Sequence, residues 1–161
     1  MQKILIIGCP GSGKSTLARA LQEKTGIPLC HLDMLYWNAD KTVVEKEVFL
    51  DRLSAVLATE RWIMDGNFSS TMEMRLAACD AVIFLDYPTE LCIESVRTRR
   101  GKPRPDLPWI EQEEDAEFMA YIKSFATERR PQILALLEKY GEKRIFIFKS
   151  RAEADAFLQA F

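Results

Sequence analysis

Short apolar runs alternate with longer amphipathic stretches along nearly the whole chain. Lys3 to Ile7 is a β-branched apolar run that stops at a glycine-rich turn. Ser15 to Lys24 then sets Leu17, Ala18 and Leu21 at helical spacing before Gly26. Leu29 to Leu32, Trp62 to Met64, Ala81 to Leu85 and Arg144 to Phe148 repeat the short apolar run, each separated from the next by a helical pattern. Five such strands alternating with helices predict a parallel sheet covered on both faces, an α/β three-layer sandwich. Three S/T-x-x-E boxes, Thr42 with Glu45, Ser70 with Glu73 and Ser150 with Glu153, predict helix starts. Ile110 to Tyr140 reads as a long helical stretch interrupted at Pro131. Gly101 to Pro108, with three prolines and no apolar period, reads as a surface loop. Loop and helices together predict a mobile, short helical lid over about residues 97–130.

Length and charge narrow the picture. A chain of 161 residues with 48% apolar content supports one substantial core, so a single domain over 1–161 is expected. The formal net charge of -2 supplies no overall positive field, which argues against direct nucleic-acid binding. No apolar run approaches the ~20 residues that span a bilayer, and Ile4 to Ile7 meets Gly8 and Pro10 too soon for a signal-peptide core. A cytoplasmic protein, monomer or weak dimer, is expected. Cys9, Cys30, Cys79 and Cys92 form no C-x-x-C pair, so buried free thiols are expected rather than a zinc or dithiol site.

Gly8, Cys9, Pro10, Gly11, Ser12, Gly13, Lys14 and Ser15 complete the pattern G-x-x-x-x-G-K-[ST] between a predicted strand and a predicted helix, the context a P-loop requires. Glycines let backbone amides converge on phosphate oxygens, and the helix beginning near Gly13 favours negative charge. The expected ligand is ATP with Mg²⁺: Lys14 reaches the β- and γ-phosphates, Ser15 offers its hydroxyl to the metal, and Thr16 serves the α-phosphate side.

Two acids end predicted strands, Asp65 in W-I-M-D-G and Asp86 in V-I-F-L-D-Y-P. Ligands of open α/β sheets sit outside the carboxyl ends of the strands, so both are in range. Asp65 is the expected metal-side acid, because Gly66 leaves room beside it. Asp33, after the second strand in H-L-D-M-L-Y-W, is the candidate to bind or deprotonate an acceptor hydroxyl, with Tyr36 and Trp37 as pocket walls. His31, without an acid partner at metal spacing, receives no role. Arg97, Arg99, Arg100, Lys102 and Arg104 form the one dense basic run, with Arg129 and Arg130 as partners from the other lid arm. The acids Glu111, Glu113, Glu114, Asp115 and Glu117 read as a solvated helix face.

These motifs resemble the adenylate-kinase-like P-loop kinases and, through H-L-D-M-L-Y-W, W-I-M-D-G-N-F and K-S-R-A-E-A-D-A-F-L, the bacterial DNA topology modulation proteins. The resemblance implies five parallel strands in the order 2-3-1-4-5, with Asp65 beside the phosphate loop. It implies that Arg99 contacts the transferred phosphate and that the loop around Lys149, Ser150 and Arg151 passes the adenine ring. Adenylate kinases hold the acceptor phosphate with arginines at the places occupied here by Tyr36 and Ser69, and carry a lid-helix arginine where Ser95 stands. An acceptor like those of shikimate or gluconate kinases is therefore an alternative to a nucleotide, with Asp33, Tyr36, Trp37, Asn67 and Arg75 as its expected contacts. The expected activity is transfer of the γ-phosphoryl group of ATP to a small molecule. A nucleotide-dependent regulatory switch acting through a protein or DNA partner is the other reading.

Overall fold

The structure, a computed structural model, describes residues 1–111 and 114–161. Lys3–Gly8 (β1) is the central strand, flanked by Trp62–Asp65 (β3) and Ala81–Leu85 (β4). Leu29–His31 (β2) lies outside β3 and Arg144–Phe148 (β5) outside β4. All pairings are parallel, and the order is β2-β3-β1-β4-β5. Ile4, Leu5, Ile6 and Ile7 are each 0% exposed. Successive strand residues point to opposite faces, so four buried in a row demand helices on both sides of the sheet. The edge strand β5 is less covered, with Arg144 and Ile147 exposed.

The helices are Lys14–Thr25 (α1), Leu32–Tyr36 (α2), Lys46–Leu57 (α3), Ser69–Ala78 (α4), Thr89–Arg99 (α5), Ala116–Glu128 (α6), Arg130–Lys139 (α7) and Arg151–Gln159 (α8). Among the described residues no helix is long and apolar enough to cross a membrane. Gly26 ends α1 in the left-handed region at φ 71°, where its amide closes on the Gln22 carbonyl.

One of the three capping boxes forms. Ser150 Oγ accepts from the Glu153 amide, and the Glu153 carboxylate accepts from the Lys149 amide at 2.6 Å. Thr42 starts no helix. It closes a turn instead, accepting from the Asn38 amide on its carbonyl and donating its hydroxyl to the Asp40 carboxylate, and α3 begins four residues later. Short polar side chains compete with helix formation by such local bonds. Ser70 lies inside α4, which starts at Ser69, because the Phe68 carbonyl is taken by the Thr71 amide and by Arg75.

The helical stretch from Ile110 to Tyr140 is shorter and divided: α6 starts at Ala116, α7 at Arg130, and Pro131 sits in the first turn of α7, where a missing amide costs nothing. Asp115 is the cap of α6, accepting from the Glu117 and Phe118 amides at 2.9 and 3.1 Å. Glu111 and Glu114 precede the helix and pair with arginines, so the acidic run is not one solvated face; Glu113 lies outside the described residues.

Candidate active site

The phosphate loop leaves β1 at Gly8 and enters α1 at Lys14. Gly11 and Gly13 hold φ of 86° and 96°, which side chains disfavour. A Cβ on Gly11 would stand 2.3 Å from the Cys92 carbonyl oxygen, so the loop lies against the backbone of α5. A Cβ on Gly13 would meet nothing within 4 Å, and no side chain caps α1 there. The start of α1 is thus uncapped and has room beside Gly13, where the positive end of the helix lies. Ser12 Oγ is buried without a hydrogen-bond partner among the described residues. An orphaned donor and an open, uncapped helix start fit a phosphate.

Lys14 folds its amine back on the loop, donating to the Gly8 carbonyl at 3.0 Å and the Cys9 carbonyl at 3.4 Å. Burial pushes the amine down from its ordinary range; Asp65, Cys9 and Asp33 oppose that and Arg99 adds to it. Asp65, Asp33 and Arg99 thus lie within electrostatic reach of the loop amine. Ser15 Oγ accepts from Arg19 at 2.6 Å, and Thr16 is exposed. Pro10 is half-buried. Cys9, 4% exposed, packs against Cys92; the hydrogen bond between them and burial push the Cys9 thiol far up, and the same bond draws Cys92 down. All four cysteines are free, three of them buried.

Both acid-bearing strands border β1: Asp65 pairs in register with Ile6, and Asp86 follows Leu85, the partner of Gly8. Their side-chain partners separate the two. Asp65 Oδ2 accepts from His31 Nδ1 at 2.7 Å, an acid partner for the histidine that the sequence reading left without one. Asp86 is clamped by Arg130 at 2.8 to 3.0 Å and by Lys149 at 2.7 Å. Burial pushes the Asp86 carboxyl up, and those hydrogen bonds outweigh it and hold the group below its ordinary range. The space beside Asp65 is not open, however: a Cβ on Gly66 would lie 2.7 Å from Leu32 Cβ, so the glycine makes room for Leu32.

Asp33 sits in the first turn of α2. Burial pushes its carboxyl up to about 6; Lys14 opposes the shift, Asp65 and Asp106 add to it, and Arg104 opposes it. Tyr36 packs into an aromatic cluster with Trp37, Phe49 and Phe68, at centroid distances of 5.2, 5.2 and 4.6 Å. Trp37 meets Trp109 edge-on at 5.2 Å, which brings the proline-rich loop down onto α2.

Two expected acceptor contacts are turned elsewhere. Asn67 clips the end of β1, its Oδ1 accepting from the Gly8 amide at 3.1 Å and its Nδ2 donating to the Gly8 carbonyl. Arg75, 0% exposed, donates to Thr71 Oγ1 at 3.1 Å and to the Gly66 and Phe68 carbonyls at 2.9 and 3.0 Å. Its three-pronged hold on the turn between β3 and α4 leaves it no face toward an acceptor.

The lid arginines are mostly spoken for. Arg97 and Arg100 pair with Glu114, and Arg104 pairs with Asp106 and Glu111. Arg130 belongs to Asp86. Arg99 Nε, buried, lies 3.5 Å from the Glu111 carboxylate, an ion pair without a hydrogen bond among the described residues. Arg129 donates to Ser69 Oγ at 3.0 Å and lies 5.7 Å from the centre of the Tyr121 ring. Arg151 donates to Ser95 Oγ at 2.6 Å. Thus the two serines Ser69 and Ser95 each carry an arginine brought from a distant segment. Local spacing could not have announced that, because the pairs lie 60 and 56 positions apart.

Comparison with known proteins bears on the fold and the family. An adenylate kinase of Thermotoga neapolitana is 27% identical over an aligned stretch of 136 positions, covering 65% of this chain and 61% of the relative. The chain therefore spans less than two thirds of that relative's length. Among solved structures, a shikimate kinase of Bacteroides thetaiotaomicron superposes with TM-score 0.58 at 21% identity, over 98% of this chain and 94% of the other. A shikimate kinase of Acinetobacter baumannii in complex with shikimate superposes with TM-score 0.63 at 21% identity, over 99% and 90%. These share the fold, a P-loop sandwich of five parallel strands. A family model described as an AAA domain matches residues 4–120, a span that takes in the phosphate loop, Asp33, Asp65, Asp86 and the lid arginines through Arg104, and the chain belongs to that family.

Proposed function

We propose that the chain is a single-domain small-molecule kinase that transfers the γ-phosphoryl group of ATP to a hydroxylated acceptor. The observation that carries this reading is that Asp33, Asp65 and Arg99 all lie within electrostatic reach of Lys14 in the phosphate loop, with Trp109 at the end of the lid loop packed on Trp37 beside α2. A phosphate-binding loop alone serves any nucleotide binder; a buried carboxyl beside it, with a raised pKa, suits removal of a proton from an attacking hydroxyl.

The loop amides and Lys14 hold the β- and γ-phosphates. Arg99, whose buried Nε makes a 3.5 Å ion pair with Glu111 and no hydrogen bond among the described residues, is the lid cation suited to the charge of a transferring phosphoryl group. Ser15 and Asp65 are the protein oxygens that would hold Mg²⁺, and the ion when bound neutralises charge on the β- and γ-phosphates. Asp33, kept neutral below about pH 6 and ionised above it, accepts the acceptor's hydroxyl proton. Arg151, resting on Ser95, stands on the loop assigned to the adenine ring by resemblance. Arg129, resting on the exposed Ser69, is the cation left to meet an anionic group of the acceptor once Arg75 is removed from that role. The likeness to DNA topology modulation proteins fits within this reading: the lid's basic run is largely neutralised by Glu111, Glu114 and Asp106 and offers no basic face to a duplex.

The test is ADP release with Mg-ATP across nucleosides, nucleoside monophosphates and hydroxylated metabolites. One member should raise turnover, and Asp33→Asn should abolish that stimulation. For that acceptor kcat/KM is expected to climb as pH rises through about 6 and then level off, because the ionised form of Asp33 is the active one. A profile flat across that window removes Asp33 from the chemistry. Turnover that responds only to a protein or DNA partner transfers the case to the regulatory-switch reading, for which the ion-paired lid would be the moving part.

A further inference from the structure

His31 is the chain's single histidine, and its partner lies 34 positions away. The β2–β3 register sets His31 directly beside Asp65, so the two side chains leave neighbouring strands on the same face at the same height. The contact is 2.7 Å, with side-chain exposures of 10% and 7%. Among the described residues no other group hydrogen-bonds that carboxylate; Lys14, its nearest electrostatic counterpart, spends its amine on the Gly8 and Cys9 carbonyls. A buried carboxylate with one fixed oxygen and one free oxygen is a directed ligand. The same carboxylate without the histidine is free to rotate and to collapse onto Lys14.

We infer that His31 is a positioning residue of the phosphate site. Its Nδ1–H pins Asp65 Oδ2, leaves Oδ1 as the free oxygen and keeps the acid from neutralising the loop lysine. This rests on the reading of Asp65 as the metal-side acid. The ring does not contact the reacting groups; it acts through Asp65. Partners of this kind, one bond removed from a metal ligand, set ligand orientation and with it affinity.

The probe is Mn²⁺, titrated by its free-ion spin-resonance signal into the protein saturated with a non-hydrolysable ATP analogue. His31→Phe is expected to weaken Mn²⁺ about 10-fold, the lower end for loss of such a partner. His31→Asn places an amide nitrogen near the Nδ1 position and is expected to restore most of that affinity. His31→Gln, with its amide one bond farther out, should not. Binding of the metal-free analogue, which feels Asp65 only through Lys14, should weaken less than Mn²⁺ binding in His31→Phe, compared among variants that melt like the parent. If His31→Phe fails to fold, the Asn and Gln variants alone decide, since both keep a polar amide and differ in reach. Equal Mn²⁺ affinity in Asn and Gln, or no change in Phe while Asp65→Asn loses affinity, overturns the positioning role and leaves Asp65 as the metal acid. No change in Asp65→Asn overturns both.

Discussion

Lys14→Ala is expected to lower acceptor-stimulated ADP release by roughly 1,000-fold or more, the scale of losing one preorganised charged donor at a transferring phosphoryl group, about 4 kcal/mol of barrier. The amine is the one cation built into the loop itself, and its present partners are two carbonyl oxygens of that loop, Gly8 and Cys9. Neutral carbonyls hold the amine in place without cancelling its charge, so it can pass from them to phosphate oxygens at little cost. Because the side chain contributes nothing to the apolar core, the melting temperature should scarcely change while turnover collapses. A variant that retains turnover within tenfold of the parent would remove phosphoryl transfer at this loop from consideration, whatever the nucleotide affinity.

Arg75→Met should cost the fold on the order of 1–3 kcal/mol, read as a lower urea midpoint at unchanged slope. The guanidinium is fully buried, with no carboxylate in ion-pair contact among the described residues, and burial holds its pKa down at about 10. What sustains it is the trio of acceptors Thr71 Oγ1 and the Gly66 and Phe68 carbonyls. Removing the guanidinium leaves the Gly66 carbonyl without that donor and frees the turn that carries Asn67 and, two residues earlier, Asp65. Methionine preserves much of the volume, so the loss measures the polar network more than a cavity. Nucleotide binding should weaken only in step with stability, because Asn67 transmits the turn's position to Gly8. A variant of parental stability with a raised acceptor KM would return Arg75 to the acceptor site.

The elements that could be read from sequence are those whose cause is local. The run Ile4 to Ile7 announces a two-face-buried strand, and the glycines and Lys14 that follow announce a phosphate loop, because both depend on residues within a few positions of one another. Ser150 with Glu153 caps α8 as its spacing implies. Thr42 and Ser70 have the same spacing and do not cap, since Asp40 and Arg75 claim the groups a cap would need. The site divides in the same way. Lys14, Ser15, Asp33, Asp65 and Arg99 come together, whereas Asn67 and Arg75 turn to Gly8 and to the β3–α4 turn, and His31 turns out to be the partner of Asp65.

Sequence by itself determined that this chain forms five short strands, that one of them ends in an anion-binding loop, and that acids and arginines suited to phosphoryl chemistry exist along it. Composition and periodicity suffice for that, because burial and backbone geometry act over one or two turns of chain. Tertiary structure alone decided which charge meets which: Asp65 with His31 across 34 positions, Asp86 with Arg130 across 44, Ser69 with Arg129 across 60. Electrostatic and hydrogen-bond partners are chosen by separations of about 3 Å, and those follow from strand register and helix placement rather than from distance along the chain.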